Sequence, residues 1–181
     1  LDPLATGLLI ICTGKKTKQI EQYQAQVKTY TGAFVLGSTT TSYDLETDVD
    51  ATFPTAHITE DLIHQTTAQF TGNIEQFPPL FSALKKDGKR LYEFARAGKE
   101  VSISARNISV DFFKITAIRG LEVDFEIQCS KGTYIRSLAH DFGKALNSGA
   151  HLSALRRTKI GAFSVDDAMS VDAFMDSLKK E

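Results

Sequence analysis

A mixed α+β domain built on a largely antiparallel sheet is what this sequence predicts, and three observations predict it. Residues 121–129 alternate strictly: Leu121, Val123, Phe125, Ile127 and Cys129 are apolar, while Glu122, Asp124, Glu126 and Gln128 are polar. That two-residue period belongs to a strand buried on one face. Asp87-Gly88 and Arg119-Gly120 are short turn signals of the kind that join antiparallel strands. Helical segments with cap signals are interleaved with the strands along the chain.

In order, residues 30–37 read as a strand, followed by a polar loop at 38–50 rich in Thr and Asp. Thr59 can cap a helix running to about Phe70, which Thr71-Gly72 ends. The Asp87-Gly88 turn closes a hairpin within 82–91, and 91–97 makes a short helix with Gly98 as its stop. Residues 108–118 pair with the alternating strand across Arg119-Gly120. An amphipathic helix over 134–146 is closed by Asn147-Ser148-Gly149. A further strand covers 151–163, and Ser170 caps a last helix reaching Lys179. No repeat, low-complexity tract or Pro/Gly/Ser-rich linker divides the 181 residues, so one domain is expected.

Composition narrows the function. No apolar run approaches the ~20 residues that span a bilayer. Cys12 and Cys129 stand far apart with no CxxC partner, and His57, His64, His140 and His151 form no metal-ligand pattern. A reducing, cytoplasmic setting is therefore expected, and neither a disulfide framework nor a metal site is suggested. The net charge of −1 conceals an asymmetry. Residues 29–84 contain no Lys or Arg but seven acids, which leaves 21 basic and 15 acidic residues for the remainder. The basic residues cluster as Lys15-Lys16-Lys18, Lys85-Lys86-Lys89-Arg90 and Arg156-Arg157-Lys159. Such clusters are solvated surface or the footprint of a polyanion, and the acidic stretch would face away from that partner.

Four segments carry candidate chemistry. The first is Leu1-Asp2-Pro3-Leu4-Ala5-Thr6-Gly7, where a carboxylate is followed at once by proline. Proline fixes its own φ and biases Asp2 toward extended backbone, so the carboxylate can be aimed with little entropy to lose. An Asp-Pro pair is also a common turn signal. The second is Lys28-Thr29-Tyr30 with the strand ending Gly37-Ser38-Thr39-Thr40-Thr41-Ser42-Tyr43-Asp44. The third runs from Pro78-Pro79-Leu80-Phe81-Ser82-Ala83 through the basic hairpin to Arg96-Ala97-Gly98. The fourth is Ser130-Lys131-Gly132-Thr133-Tyr134-Ile135-Arg136, with His151-Leu152-Ser153-Ala154-Leu155-Arg156-Arg157 shortly after.

Together, in this order and spacing, the four segments resemble the TruB family of tRNA pseudouridine synthases. The resemblance implies the pseudouridine synthase catalytic fold and isomerisation of the tRNA T-loop uridine at position 55. It implies Asp2 as the nucleophile, which an ionised carboxylate able to form and release an adduct suits. Attack on C6 of the base, attack on C1′ of the sugar and a glycal route all stay open. Tyr30 falls on the tyrosine that stacks on the extruded base, and Arg136 on the arginine that pairs with the aspartate. Tyr134 falls on a residue proposed to take the C5 proton, and Leu155 on an apolar contact to the target nucleotide. Lys18, Lys85, Lys86, Lys89, Arg90, Arg156 and Arg157 are implied as RNA contacts, mostly to phosphate.

Two departures from the family pattern are expected to matter. The upstream strands and a histidine that helps displace the base do not precede Asp2, which suggests an N-terminally shortened catalytic domain. A C-terminal RNA-binding domain of the PUA type, which many relatives carry, is not expected. The other classes open to this sequence are a non-catalytic RNA-binding or tRNA-folding module and an RNA-guided relative with protein partners. No metal, organic cofactor or obligatory protein partner is implied.

Overall fold

The computed structural model describes residues 2–86, 88–97 and 101–179. Its chain starts with a two-residue strand β1 (Thr6–Gly7), a 3-10 turn (Gly14–Gln19) and a short helix α1 (Ile20–Ala25). The long strand β2 (Lys28–Leu36) leads into a small hairpin of β3 (Ser38–Thr40) and β4 (Val49–Thr52). Helix α2 (Glu60–Thr66) and strand β5 (Gly72–Gln76) follow. Then come the hairpin strands β6 (Lys85–Lys86) and β7 (Lys89–Arg90) and helix α3 (Leu91–Arg96). Two long strands, β8 (Arg106–Arg119) and β9 (Glu122–Cys129), precede the principal helix α4 (Ile135–Ala145). The chain closes with β10 (Ala150–Ile160), β11 (Phe163–Ser164) and α5 (Val171–Leu178).

The main sheet runs β1-β10-β2-β9-β8-β5, with β11 also on β10. Every pairing in it is antiparallel except β1 with β10. The alternation of β9 has the expected consequence, since Val123, Phe125, Ile127 and Cys129 are all buried. Helix α4 covers that face with Ile135, Leu138, Ala139 and Phe142. Phe34, Phe113, Phe125 and Phe142 meet there, with Phe34 and Phe125 only 4.4 Å apart between ring centres. Each such ring contributes about 1.5–3 kcal/mol by leaving water, which holds α4 against the sheet. Gly143 allows the closeness: a Cβ there would lie 2.2 Å from the amide nitrogen of Ala150.

Several expectations are refined. The Thr59 cap is present, its Oγ1 accepting from the Leu62 amide at 3.2 Å, but the α-helix tightens to a 3-10 turn at Thr67–Phe70. The polar stretch at 38–50 is not simply a loop, because its ends pair as β3 and β4. Thr39 and Thr41 donate to the Asp50 carboxylate at 2.6 and 3.1 Å and tie the hairpin together. The basic hairpin forms, with Lys85 opposite Arg90 and Lys86 opposite Lys89. Its Asp87 and the Gly98 helix stop lie outside the described residues. Among the described residues no helix is long and apolar enough to cross a membrane.

Candidate active site

The Asp-Pro sequence at the start of the chain makes the tight turn its backbone limits dictate. The Ala5 amide donates to the Asp2 carbonyl at 3.0 Å, closing the turn around Pro3. Beyond it the chain is pinned to β10. The Leu8 amide donates to the Arg157 carbonyl at 2.8 Å, and Arg157 Nε donates back to the Leu8 carbonyl at 2.8 Å. Gly7 sits between these anchors at φ +102°, and a Cβ there would be 2.2 Å from the Arg157 carbonyl oxygen. Only glycine fits both requirements.

The carboxylate so presented meets Arg136, in the first turn of α4. Arg136 Nη2 donates to Asp2 Oδ1 at 2.8 Å and to the Phe81 carbonyl at 2.9 Å, and Nη1 donates to the Ser42 carbonyl at 3.2 Å. Its Nε faces Asp44 Oδ2 at 3.6 Å, a charge pair rather than a hydrogen bond. The side chains of Arg136 and Asp44 are each only 4% exposed, whereas that of Asp2 is 24% exposed. One buried guanidinium thus serves two carboxylates, and only Asp2 reaches toward solvent. Asp44 is itself fixed, since its Oδ1 accepts from Ser42 Oγ at 2.6 Å and from the Glu46 amide at 3.0 Å.

Tyr134 occupies the N-cap of α4, and a buried glutamine holds it there. Gln76 Oε1 accepts from the Tyr134 amide at 2.8 Å, and Gln76 Nε2 donates to the Tyr134 carbonyl at 3.0 Å. Ser137 Oγ also donates to the Phe77 carbonyl at 2.7 Å. The start of α4 is therefore tied to the end of β5 at three points, which sets the helix relative to Asp2. Asp2, Tyr134 and Arg136 share the wall of a cavity of about 520 Å³ with Glu46, Phe81 and Tyr92. Leu155 is buried on β10 and lines a narrow cleft beside Asp2 and Asp44.

Tyr30 lies elsewhere. It lines a neighbouring cavity of about 570 Å³ with Tyr23, Lys28, Lys131 and Arg157. Burial, above all, raises its phenol pKa, and the charge of Asp2 adds to the effect, while a hydrogen bond from Arg157 opposes it. Asp2 thus acts on Tyr30 electrostatically, although the two side chains open on different cavities. Lys28 is lowered by burial first and by the nearby charges of Arg157 and Lys131.

The basic residues divide. Lys18, Arg90 and Arg156 are exposed, Lys18 on the 3-10 turn before α1 and away from the Asp2 cavity. Arg157 is not a surface residue: β10 turns it inward, where Leu8 and Tyr30 occupy its guanidinium. The period of two explains the split between Arg156 and Arg157. The side chains of Lys85, Lys86 and Lys89 lie outside the described part of the structure. The acidic stretch does not turn away from the site as expected, because Asp44 and Glu46 both stand at it.

Residues 1–135 match the family model described as TruB family pseudouridylate synthase, N-terminal domain. Residues 136–181 match that of the tRNA pseudouridylate synthase B C-terminal domain. The chain belongs to the TruB family. The boundary between the two TruB matches falls inside α4, a continuous helix, so the Asp2–Arg136 pair joins residues from both. A curated relative from Flavobacterium johnsoniae, named tRNA pseudouridine synthase B, is 61% identical across 99% of this chain and 78% of its own length. One of the same name from Phocaeicola vulgatus is 49% identical across 100% of this chain and 77% of its own. Among solved structures, a chain of a Cbf5–Nop10–Gar1 complex superposes with a TM-score of 0.73 at 30% identity. That match covers 97% of this chain and 43% of the other. The pseudouridine synthase fold expected from the sequence is the fold observed.

Three residues of this candidate site had no assigned role in the sequence. Asp44 ends the segment that follows the strand of Tyr30, but nothing in its spacing said that it shares Arg136 with Asp2. Gln76 precedes Phe77-Pro78-Pro79 and gave no signal at all. Tyr92 appeared only as part of a short helix. Among the described residues no group of three or more His, Cys, Asp or Glu side chains is placed to hold a metal ion.

Proposed function

We propose that this protein isomerises uridine to pseudouridine in tRNA, at position 55 of the T loop, with Asp2 as the nucleophile. The observation that carries the reading is the Asp2–Arg136 pair at the wall of a cavity large enough for a nucleotide. Arg136 holds Oδ1, while Oδ2 accepts no hydrogen bond among the described residues and is free to attack. A guanidinium at 2.8 Å pairs with the carboxylate and fixes its direction. The reaction breaks the bond from N1 to C1′, turns the base, joins C5 to C1′ and releases the C5 proton, while N1 takes up a proton. The duplex or loop must first give up the base, as in other enzymes that act on a nucleobase.

The remaining roles follow the site. In this reading Tyr134 takes the C5 proton, a role supported by its position on the same cavity wall as Asp2. Leu155 packs against the target nucleotide. Tyr30 supplies an aromatic face from the adjoining cavity, and its raised pKa keeps the phenol neutral. Exposed Lys18, Arg90 and Arg156 contact phosphate without reading sequence. Reaction on tRNA places the protein in the cytoplasm, and the unpaired Cys12 and Cys129 agree with a reducing compartment. The relatives named tRNA pseudouridine synthase B, at 61% and 49% identity, favour this reading over the RNA-guided one, since a chain of an H/ACA ribonucleoprotein bound to a substrate RNA shares 25%.

The test is release of tritium from tRNA labelled at C5 of uridine. Release is expected from wild-type T-loop sequence and not when the target uridine is replaced by cytidine. Equal release from both RNAs, or none from either, would contradict the assignment.

A further inference from the structure

We infer that the stacked rings of Tyr43 and His140 are a positioning device for the Asp2–Arg136 pair, holding the strained backbone that aims Ser42 and Asp44 at the guanidinium. The inference rests on the function proposed above and names two residues that touch neither Asp2 nor the cavity beside it.

Tyr43 has a φ of +66°, in the left-handed region that a bulky side chain rarely enters. Such a conformation persists only where the surroundings over-determine it. Both backbone groups of Tyr43 are engaged, its amide donating to the Thr40 carbonyl at 3.1 Å and its carbonyl accepting from the Leu152 amide at 2.9 Å. The residues on either side of it are the two that hold Arg136 from this direction. Ser42 offers its carbonyl to Nη1, and Asp44 its carboxylate to Nε. If φ of Tyr43 returned to negative values, those two groups could not both stay in place. Arg136 would keep only Phe81 and Asp2, and Asp2 would lose its fixed aim.

The Tyr43 ring lies on the His140 ring with centres 3.9 Å apart and planes 13° from parallel. His140 is on α4 four residues beyond Arg136, about one helical turn, so helix and guanidinium are gripped from one face. Its Nδ1 is buried and has no hydrogen-bond partner among the described residues. The imidazole therefore does nothing here as a donor or acceptor through that nitrogen, and what it contributes is a flat face. Burial keeps the ring neutral, its pKa lowered to about 4.

The two rings can be tested with four variants of the whole chain, each checked by its unfolding midpoint. In single turnover on T-loop RNA, His140→Ala is expected to lower the rate about 10- to 100-fold while KM stays within about twofold. His140→Phe keeps a flat ring and should stay near the wild-type rate. At the other partner, Tyr43→Gly reaches φ +66° without penalty, so it should lose less rate than Tyr43→Ala, which keeps the strain and loses the ring contact that offsets it. This second comparison stands even if His140→Ala does not fold. Wild-type rate in His140→Ala, equal loss in His140→Phe and His140→Ala, or equal loss in the two Tyr43 variants would each overturn the inference. A wild-type protein that releases no tritium would instead refute the functional reading and leave the stack unaddressed by rate, so unfolding data decide then: Tyr43→Ala must still destabilise more than Tyr43→Gly.

Discussion

Arg136 is where the structure makes its strongest quantitative claim. It bears three hydrogen bonds and a charge pair, at 4% side-chain exposure. Arg136→Met would strand Asp44, equally buried, beside no counter-charge. Removing one partner of a buried pair costs about 3–5 kcal/mol. At roughly 2–4 °C per kcal/mol for a chain of this size, the unfolding midpoint should fall by roughly 6–20 °C. Adding Asp44→Asn to that variant removes the stranded charge and should recover much of the stability, but none of the activity, because Asp2 still lacks its partner. Arg136→Lys separates charge from geometry. An ammonium cannot span Asp2, Phe81 and Ser42 as the planar fork does, and the loss of one or two charged hydrogen bonds costs about 1.5–3 kcal/mol apiece. A misplacement of ~1 Å in the nucleophile lowers the rate ~10²-fold. Denaturant unfolding measures the first effect and tritium release the second. The reasoning is refuted if Arg136→Lys turns over within about threefold of wild type, or if Asp44→Asn fails to restore stability to Arg136→Met.

Three further outcomes follow from particular contacts. Gln76→Leu leaves the Tyr134 backbone without two partners, so stability should fall by about 1–3 kcal/mol and turnover should slow, and a variant unchanged in both would remove Gln76 from the site. His140 titrates at about 4 in the folded protein against 6.5 in the free side chain. Between those values the unfolded chain takes up a proton that the folded chain refuses, so stability should decline as pH falls from 6.5 to 4. His140→Phe should flatten that decline, and an unaltered pH profile of the unfolding midpoint would contradict the burial argument. Affinity for RNA should drop steeply with salt, and Arg156→Ala should reduce the log–log slope by about one, whereas an unchanged slope would mean that Arg156 touches no phosphate.

The strands were legible because burial on one face writes itself into the sequence with a period of two, as β9 shows from Val123 to Cys129. The caps were legible for the same local reason: Thr59 and Ser170 each accept from an amide three residues on. The β3–β4 hairpin was not, because its pairing depends on Thr39 and Thr41 finding Asp50, a contact across a stretch with no apolar alternation. The site divides similarly. Asp2 and Arg136 could be named from the family resemblance, and the fold brings them to 2.8 Å. Asp44 and Gln76 act through long-range contacts, 92 and 58 residues from their partners, that no local pattern records. Arg157 misled because its neighbour Arg156 is exposed, and composition cannot tell which of two adjacent arginines a strand turns inward.

The central claim is that Asp2, held by Arg136, performs the chemistry. It is tested most directly by comparing wild type with Asp2→Asn on C5-tritiated tRNA in single turnover, with RNA affinity measured on the same preparations. The amide keeps the shape of the side chain but cannot act as a nucleophile. The account predicts no tritium release from Asp2→Asn, with affinity within a few-fold of wild type because phosphate contacts carry binding. Release at a rate near wild type would contradict it.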